Sequence, residues 1–279
     1  MSFTALPENP LRALEALAIY RYLTAKQLVA LGIAASPTVA RDHVVRHLKR
    51  GRSPLIKTHD FGRWPAYGRL PHIHYLTAKG ASCLCEYKGL PENSIRYPKG
   101  GVQFTRDIFH RMALIDSHIA LRNWVHNNDF TVDFSYQYFD KTGSLQGQFC
   151  DTRLDLDGGD FIEPDGLFCL SKESFKLPIS LEVHRYPDTG RIAEQLQKNA
   201  FAIHSQSMAS KYDLGVNNIV LSVHEQATTM KAVQKRLLEA PGFDAYLPGF
   251  LFNTLAQVKD DFSTGWTFAD GTPAPHFKG

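Results

Sequence analysis

The sequence predicts a mixed α/β (α+β) chain in two parts, a helical front with a hairpin and a back half on a mixed central sheet. Three observations carry this. The 279 residues exceed one typical domain, so two domains with separate cores are expected. The charge divides unevenly: residues 1–100 hold 15 Lys and Arg against 6 Asp and Glu (+9), whereas residues 101–279 hold 16 against 22 (−6). The hydrophobic period also changes, from 3.6 residues in the front to short apolar strands between turns in the back.

The front is read in order. Asn9 or Pro10 opens a helix with Leu11, Leu14, Leu17 and Ala18 on one face. Thr24 is an N-cap for AKQLVAL, which Gly32 closes. Ser36-Pro37 caps a third helix, TVARDHVVRHLKRG, with Val39, Val44 or Val45, and Leu48 facing inward. Its other faces carry Arg41, His43, Arg46, His47, Lys49 and Arg50. Two strand-like runs follow, PLIKTHDFGRW and RLPHIHYLT, joined by PAYG. Three short helices, the last basic, and then a hairpin are the pattern of a winged helix-turn-helix domain. The hairpin is basic and aromatic, with Lys57, His59, Arg63, Trp64, Tyr67 and Arg69, which suits a phosphate backbone or minor groove. The expected DNA contacts are Arg41, Arg46, His47, Lys49, Arg50, Lys57, Arg63 and Arg69, since clustered cations release counterions from phosphates. The competing reading is a winged helix used for protein contacts. Thr77 then caps one more helix, AKGASCLCEYKG, and the Pro- and Gly-rich PENSIRYPKGG (91–101) reads as a linker. The expected domains are therefore 1–98, binding DNA, and 99–279.

The back begins with a long helix from Thr105, striped by Ile108, Met112, Ile115 and Ile119 and interrupted by His110 and Asp116. His110 reads as a satisfied histidine more readily than as a ligand, whereas Asp116 is a further acid that a helix beside a metal-binding sheet can offer. FTVDFSYQYFDKTGSLQGQF alternates around a D-K-T-G turn and predicts a strand and hairpin. GLFCL and LPISLEVHRY are apolar strands, Asp188 or Thr189 caps RIAEQLQKNAFAIHSQS, and VNNIVLSVHE is a later strand. TTMKAVQKRLLEA is a helix, GFLFNTLAQVKD an edge strand with its approach, and the tail STGWTFADGTPAPHFKG is expected to be loosely held.

The candidate site lies between Phe161 and Lys198. Asp165 follows Pro164 at a strand start, and Glu182 sits inside the most apolar strand. A carboxylate there must be paired, hydrogen-bonded or metal-bound, because an unpaired buried charge is too costly. The alternatives are a salt bridge to Arg185 or Arg191, or a divalent cation shared with Asp165. Hard Mg2+ or Mn2+ takes oxygen ligands and keeps several waters for substrate. A helix carrying Gln195 and Lys198 follows at once. The four cysteines have no framework or zinc spacing and read as reduced thiols of a cytoplasmic protein. No apolar run approaches the ~20 residues of a membrane span, and the N-terminus lacks a signal-peptide core. There is no Gly-rich phosphate loop and no G-x-S-x-G.

Pro164-Asp165 followed by Glu182-Val183-His184 resembles the PD-(D/E)xK nuclease superfamily, with histidine where that superfamily has lysine. The winged-helix pattern, then His110 to Leu121, E-P-D-G and L-E-V-H-R, is similar to the replication-relaxation family and MobC-type plasmid mobilisation relaxases. The resemblance implies a PD-(D/E)xK endonuclease-like domain behind the winged helix. It implies a relaxase-like enzyme that nicks an origin of transfer or replication of a mobile element. Asp165, Glu182, the Val183 carbonyl and Asp116 would hold Mg2+ or Mn2+, and Gln195 would orient. The implied partners are double-stranded origin DNA, single-stranded DNA after nicking, and a second copy or other mobilisation proteins. His184 is the departure. It can act as a cation when protonated, serve as general base, or mark a fold that binds DNA and no longer cuts it.

Overall fold

The computed structural model describes residues 6–142 and 149–277. The chain divides into two compact units, Met1–Ile108 and Phe109–Gly279. Among the described residues, no helix is long and apolar enough to cross a membrane.

In the first unit, α1 (Glu8–Tyr20) buries Leu14 and Leu17. A capping box between Thr24 and Gln27 starts α2 (Ala25–Ala30). The basic helix is one continuous run, α3 (Pro37–Val39), a π-helical stretch (Ala40–Val45) and α4 (Arg46–Leu48). Its wide turn is closed by the Arg46 N–H on the Arg41 carbonyl. Spacing of five residues aligns Ala40 with Val45, and both are buried with Val44 and Leu48. Val39, expected inside, is only half-buried. β1 (Ile56–His59) and β4 (Ile73–Leu76) pair antiparallel, and beyond them β2 (Arg63–Trp64) pairs with β3 (Gly68–Arg69). Leu23, between the first two helices, makes an isolated bridge to His74 of β4. Helix α5 (Ala78–Lys88) is capped by Thr77. Gly80 on it must be glycine, because a Cβ would meet the Leu55 carbonyl at 2.1 Å. Past the linker expected at 91–101, the chain stays on this unit. Phe104 is buried edge-on against Tyr22 at 5.0 Å, and the Tyr22 hydroxyl donates to the Gly101 carbonyl.

The second unit opens with α6 (Ile108–Asn127), which starts later than the expected Thr105. Its sheet is ordered β13-β12-β11-β10-β5. Strands β5 (Thr131–Gln137), β10 (Gly166–Lys172) and β11 (Phe175–His184) form an antiparallel meander. After α7 (Thr189–His204) and the short α8 (Ser207–Tyr212), β12 (Ile219–His224) adds parallel to β11. Helix α9 (Ala227–Leu238) leads to β13 (Phe250–Thr254), again parallel, and α10 (Leu255–Asp260) follows. The D-K-T-G turn falls partly outside the described residues. Around it, β6 (Lys141–Thr142) pairs with β7 (Phe149–Cys150), and β8 (Leu154–Asp155) pairs with β9 (Phe161–Ile162).

Side-chain alternation sends the sheet's two faces into different cores. Phe168, Leu181, Val183 and Leu221 pack with Ala113, Leu114 and Trp124 of α6. Val220, Phe250 and Phe252 pack with Ile192, Leu196 and Ala200 of α7 and with α9. Glu182 and His184, in the other phase from Leu181 and Val183, therefore project on the α7 side. As far as Phe277, the tail is not loosely held. Phe277 is fully buried among Trp124, Phe262 and Trp266, the Trp124 indole donates to the Phe277 carbonyl at 3.1 Å, and Thr267 bridges Phe252. Burying aromatic area outweighs the turn-forming composition that made this segment read as loose.

Candidate active site

The β10–β11 ladder begins at Gly166 opposite Leu181, so Asp165 and Glu182 lie just past its end on neighbouring strands. The Val183 N–H is thus left without a strand partner, and Asp165 satisfies it: Oδ2 accepts from that N–H at 2.8 Å. Val183 enters the site by this amide, whereas the resemblance gave the role to its carbonyl. The other oxygen of Asp165 accepts from His110 Nε2 of α6 at 2.8 Å. His110, read from the sequence as a bystander, is in the site.

Glu182 is 1% exposed. Its Oε2 accepts from Gln195 Nε2 at 2.6 Å and its Oε1 from Asn199 Nδ2 at 2.8 Å. Ser180 Oγ then donates to Asn199 Oδ1 at 3.2 Å, which fixes the amide's orientation. Neither arginine alternative forms: Arg185 pairs with Glu225 at 3.0 Å, and Glu182 takes only amide donors. Burial, and then the neighbouring Asp165 charge, push the Glu182 pKa well above the usual carboxylate range, against the pull of Asn199 and Gln195. Asn199 is a site residue that the sequence reading missed. Its signal was a polar residue in the apolar stripe of Ile192, Leu196 and Ala200, one turn after Gln195.

His184 is buried, and its ring lies 4.8 Å from that of His224, its register partner on β12. Desolvation, then His224 and His110, hold its pKa well below the usual histidine value. It is a neutral imidazole at pH 7, not the fixed cation that lysine would supply. Its Nε2 and the Nδ1 of His224 are both buried without a hydrogen-bond partner. His224 Nε2 meets Ser222 Oγ at 2.8 Å, and burial lowers the His224 pKa to about 3.

Asp116 does not join this group. It ion-pairs with Lys259 of α10 at 2.8 Å, because α6 turns residues 110 and 116 onto different faces. The expected DNA contacts all lie in the first unit. Arg41, Arg46, Lys49 and Arg50 are exposed on the basic helix and His47 is half-buried. Arg41 leans on Thr38 and Arg46 on Asp42. Lys57 is exposed on β1, and Arg63 and Arg69 are exposed and directly opposed on β2 and β3.

The donors themselves show whether a hard cation suits the pair. Two carboxylates occupy neighbouring strand positions and feel each other's charge, and the buried one accepts from the neutral amides of Gln195 and Asn199 with no cation among the described residues paired to it. That chemistry suits Mg2+ or Mn2+, which use one or two carboxylates plus waters. Among the described residues, no three or more His, Cys, Asp and Glu side chains are grouped to hold a metal ion. The ion would therefore rest on Asp165 and Glu182 alone. No family model, curated protein or solved structure matches the chain.

Proposed function

We propose that this protein binds double-stranded DNA and nicks it as a relaxase-like endonuclease, with Mg2+ or Mn2+ held between Asp165 and Glu182. The observation that carries the reading is the pairing of these carboxylates on adjacent strands, with Glu182 buried and its pKa raised. Such a carboxyl ionises readily only beside a cation. The bound ion would polarise a phosphate and supply a water of lowered pKa. The chain's own residues have separate tasks. Asn199 and Gln195 hold Glu182 in one rotamer, while His110 and the Val183 amide aim Asp165.

The fold supports this. The order α6, β5, β10, β11, α7, β12, an antiparallel meander followed by a helix and a parallel strand, makes a mixed sheet that brings Asp165 and Glu182 to neighbouring strands. In the first unit, the helices, the Leu23–His74 bridge and the distal hairpin support the winged-helix reading, and the exposed cations of the basic helix support a polyanion partner. An origin of transfer or replication of a mobile element is the substrate that the sequence resemblance points to.

A second reading is a DNA-binding regulator with a degenerate nuclease fold. The neutral, buried His184 favours it, because no fixed cation stands two residues after Glu182. Supercoiled plasmid incubated with the chain, with Mn2+ or chelator, separates the two. The nuclease reading expects metal-dependent open circles that Asp165→Asn and Glu182→Gln both abolish. Binding without nicking, or nicking unchanged in both variants, would overturn it.

A further inference from the structure

We propose that His184 and His224 together bind a late first-row divalent ion such as Zn2+, at a site separate from the paired carboxylates. The inference stands on the geometry of β11 and β12 and does not need the nuclease reading.

The two histidines are the last residues of adjacent parallel strands and are direct register partners. Paired positions of a parallel ladder put both side chains on one face, here the α7 side. Their ring centroids lie 4.8 Å apart. Both residues are buried, His224 fully. His184 Nε2 and His224 Nδ1 meet no hydrogen-bond partner among the described residues. One orphaned nitrogen in a core is costly. Two of them on neighbouring rings point to something held in common.

The surroundings hold His224 in the form a metal needs. Ser222 Oγ lies 2.8 Å from its Nε2, and Phe252 stacks on the ring at 6.2 Å with 27° between the planes. With Nε2–H donating to the serine, the lone pair of the neutral ring lies on Nδ1. Metal-binding histidines carry this kind of hydrogen bond on the far nitrogen, which fixes tautomer and orientation. Two imidazole nitrogens on one zinc stand at most ~4 Å apart, from Zn–N bonds of ~2.0–2.1 Å. The spacing of the two rings accommodates that.

Donor chemistry selects the ion. Imidazole suits Zn2+, Ni2+ and Cu2+, whereas carboxylates and water suit Mg2+ and Mn2+. The hard ion therefore stays with Asp165 and Glu182, and the softer one goes to the histidines. Among the described residues no third His, Cys, Asp or Glu completes a metal-holding group, so the remaining positions fall to water or an incoming oxygen ligand. Bound there, the ion staples β12 to β11, the strand that carries Glu182.

The test uses the full chain, stripped with chelator and then held in excess Mg2+, which takes oxygen ligands and competes poorly for imidazole. Zn2+ titrated by calorimetry should bind. Cu2+ in its place should give an electron paramagnetic resonance spectrum split by two nitrogens. His184→Gln and His224→Gln should each remove this ion. Ser222→Ala leaves both ligands in place and should still weaken binding by about tenfold or more, so the assignment does not depend on a buried histidine variant folding. Unchanged Zn2+ binding in the histidine variants, or in Ser222→Ala, means an adventitious surface ion only and overturns the proposal. A spectrum with a single nitrogen, or no Zn2+ binding by the wild-type chain, overturns it as well. None of these outcomes bears on the carboxylate pair, which is read separately by nicking in Mn2+.

Discussion

Replacing Asn199 with alanine tests how the second unit tolerates a buried acid. Asn199 Nδ2 donates to Glu182 Oε1 at 2.8 Å, and Asn199 is itself buried. A hydrogen bond to a charged acceptor contributes about 1.5–3 kcal/mol, and the Ser180 hydroxyl loses its acceptor as well, adding about 1 kcal/mol. The expected penalty is therefore about 3 kcal/mol when Glu182 is ionised. The sign follows from linkage. The folded pKa of Glu182 is raised, so the group takes up its proton more readily in the folded chain, and its favourable contribution is lost as pH rises above the unfolded value. Asn199 pulls that pKa down, so its removal raises it further and the penalty grows with pH. Urea unfolding followed by circular dichroism at about pH 5 and about pH 8 measures this, with reference to the unperturbed Glu pKa of about 4.3. The variant should lose clearly more stability at the higher pH. Equal losses at both pH values, or a loss under about 0.5 kcal/mol at the higher one, would refute the reasoning.

Other outcomes follow from the same geometry. His74 is buried on β4 with its pKa pushed down to about 4 by desolvation, so the first unit should lose about 3 kcal/mol as pH falls from about 6.5 to about 4. His74→Gln should flatten that slope in urea unfolding. Arg46→Ala/Lys49→Ala removes two exposed cations of the basic helix, so DNA affinity should fall and the slope of log affinity against log salt should shrink by about two. Unchanged anisotropy titrations would remove those residues from the interface. Phe277→Ala should destabilise the second unit by about 3–5 kcal/mol in thermal unfolding, because the side chain is fully buried.

The strands were legible because Leu, Ile and Val runs ended at turn residues. Asp165 and Glu182 stood out as carboxylates at the start of one such run and inside another. Gln195 followed from its place on the next helix. What stayed hidden depends on how elements pack against one another. Asp116 and His110 lie on the same helix, and only the phase of α6 against the sheet decides that His110 reaches Asp165 while Asp116 pairs with Lys259. The π-helical turn is set by which of Ala40, Val44 and Val45 the core takes in. Phe104 carries the chain beyond the expected linker, where one aromatic contact outweighs a Pro- and Gly-rich composition. The tail misled for the same reason, since its Gly, Pro and Asp residues hide the anchors Trp266 and Phe277.

Calorimetric titration of Mn2+ into the full chain tests the paired-carboxylate site most directly. The account predicts one ion bound per chain, abolished by Glu182→Gln and by Asp165→Asn. Below neutral pH, the heat should depend on the buffer, because the raised pKa of Glu182 makes the incoming ion displace a proton. Mn2+ binding that survives in both variants, or no binding to the wild-type chain, would contradict it.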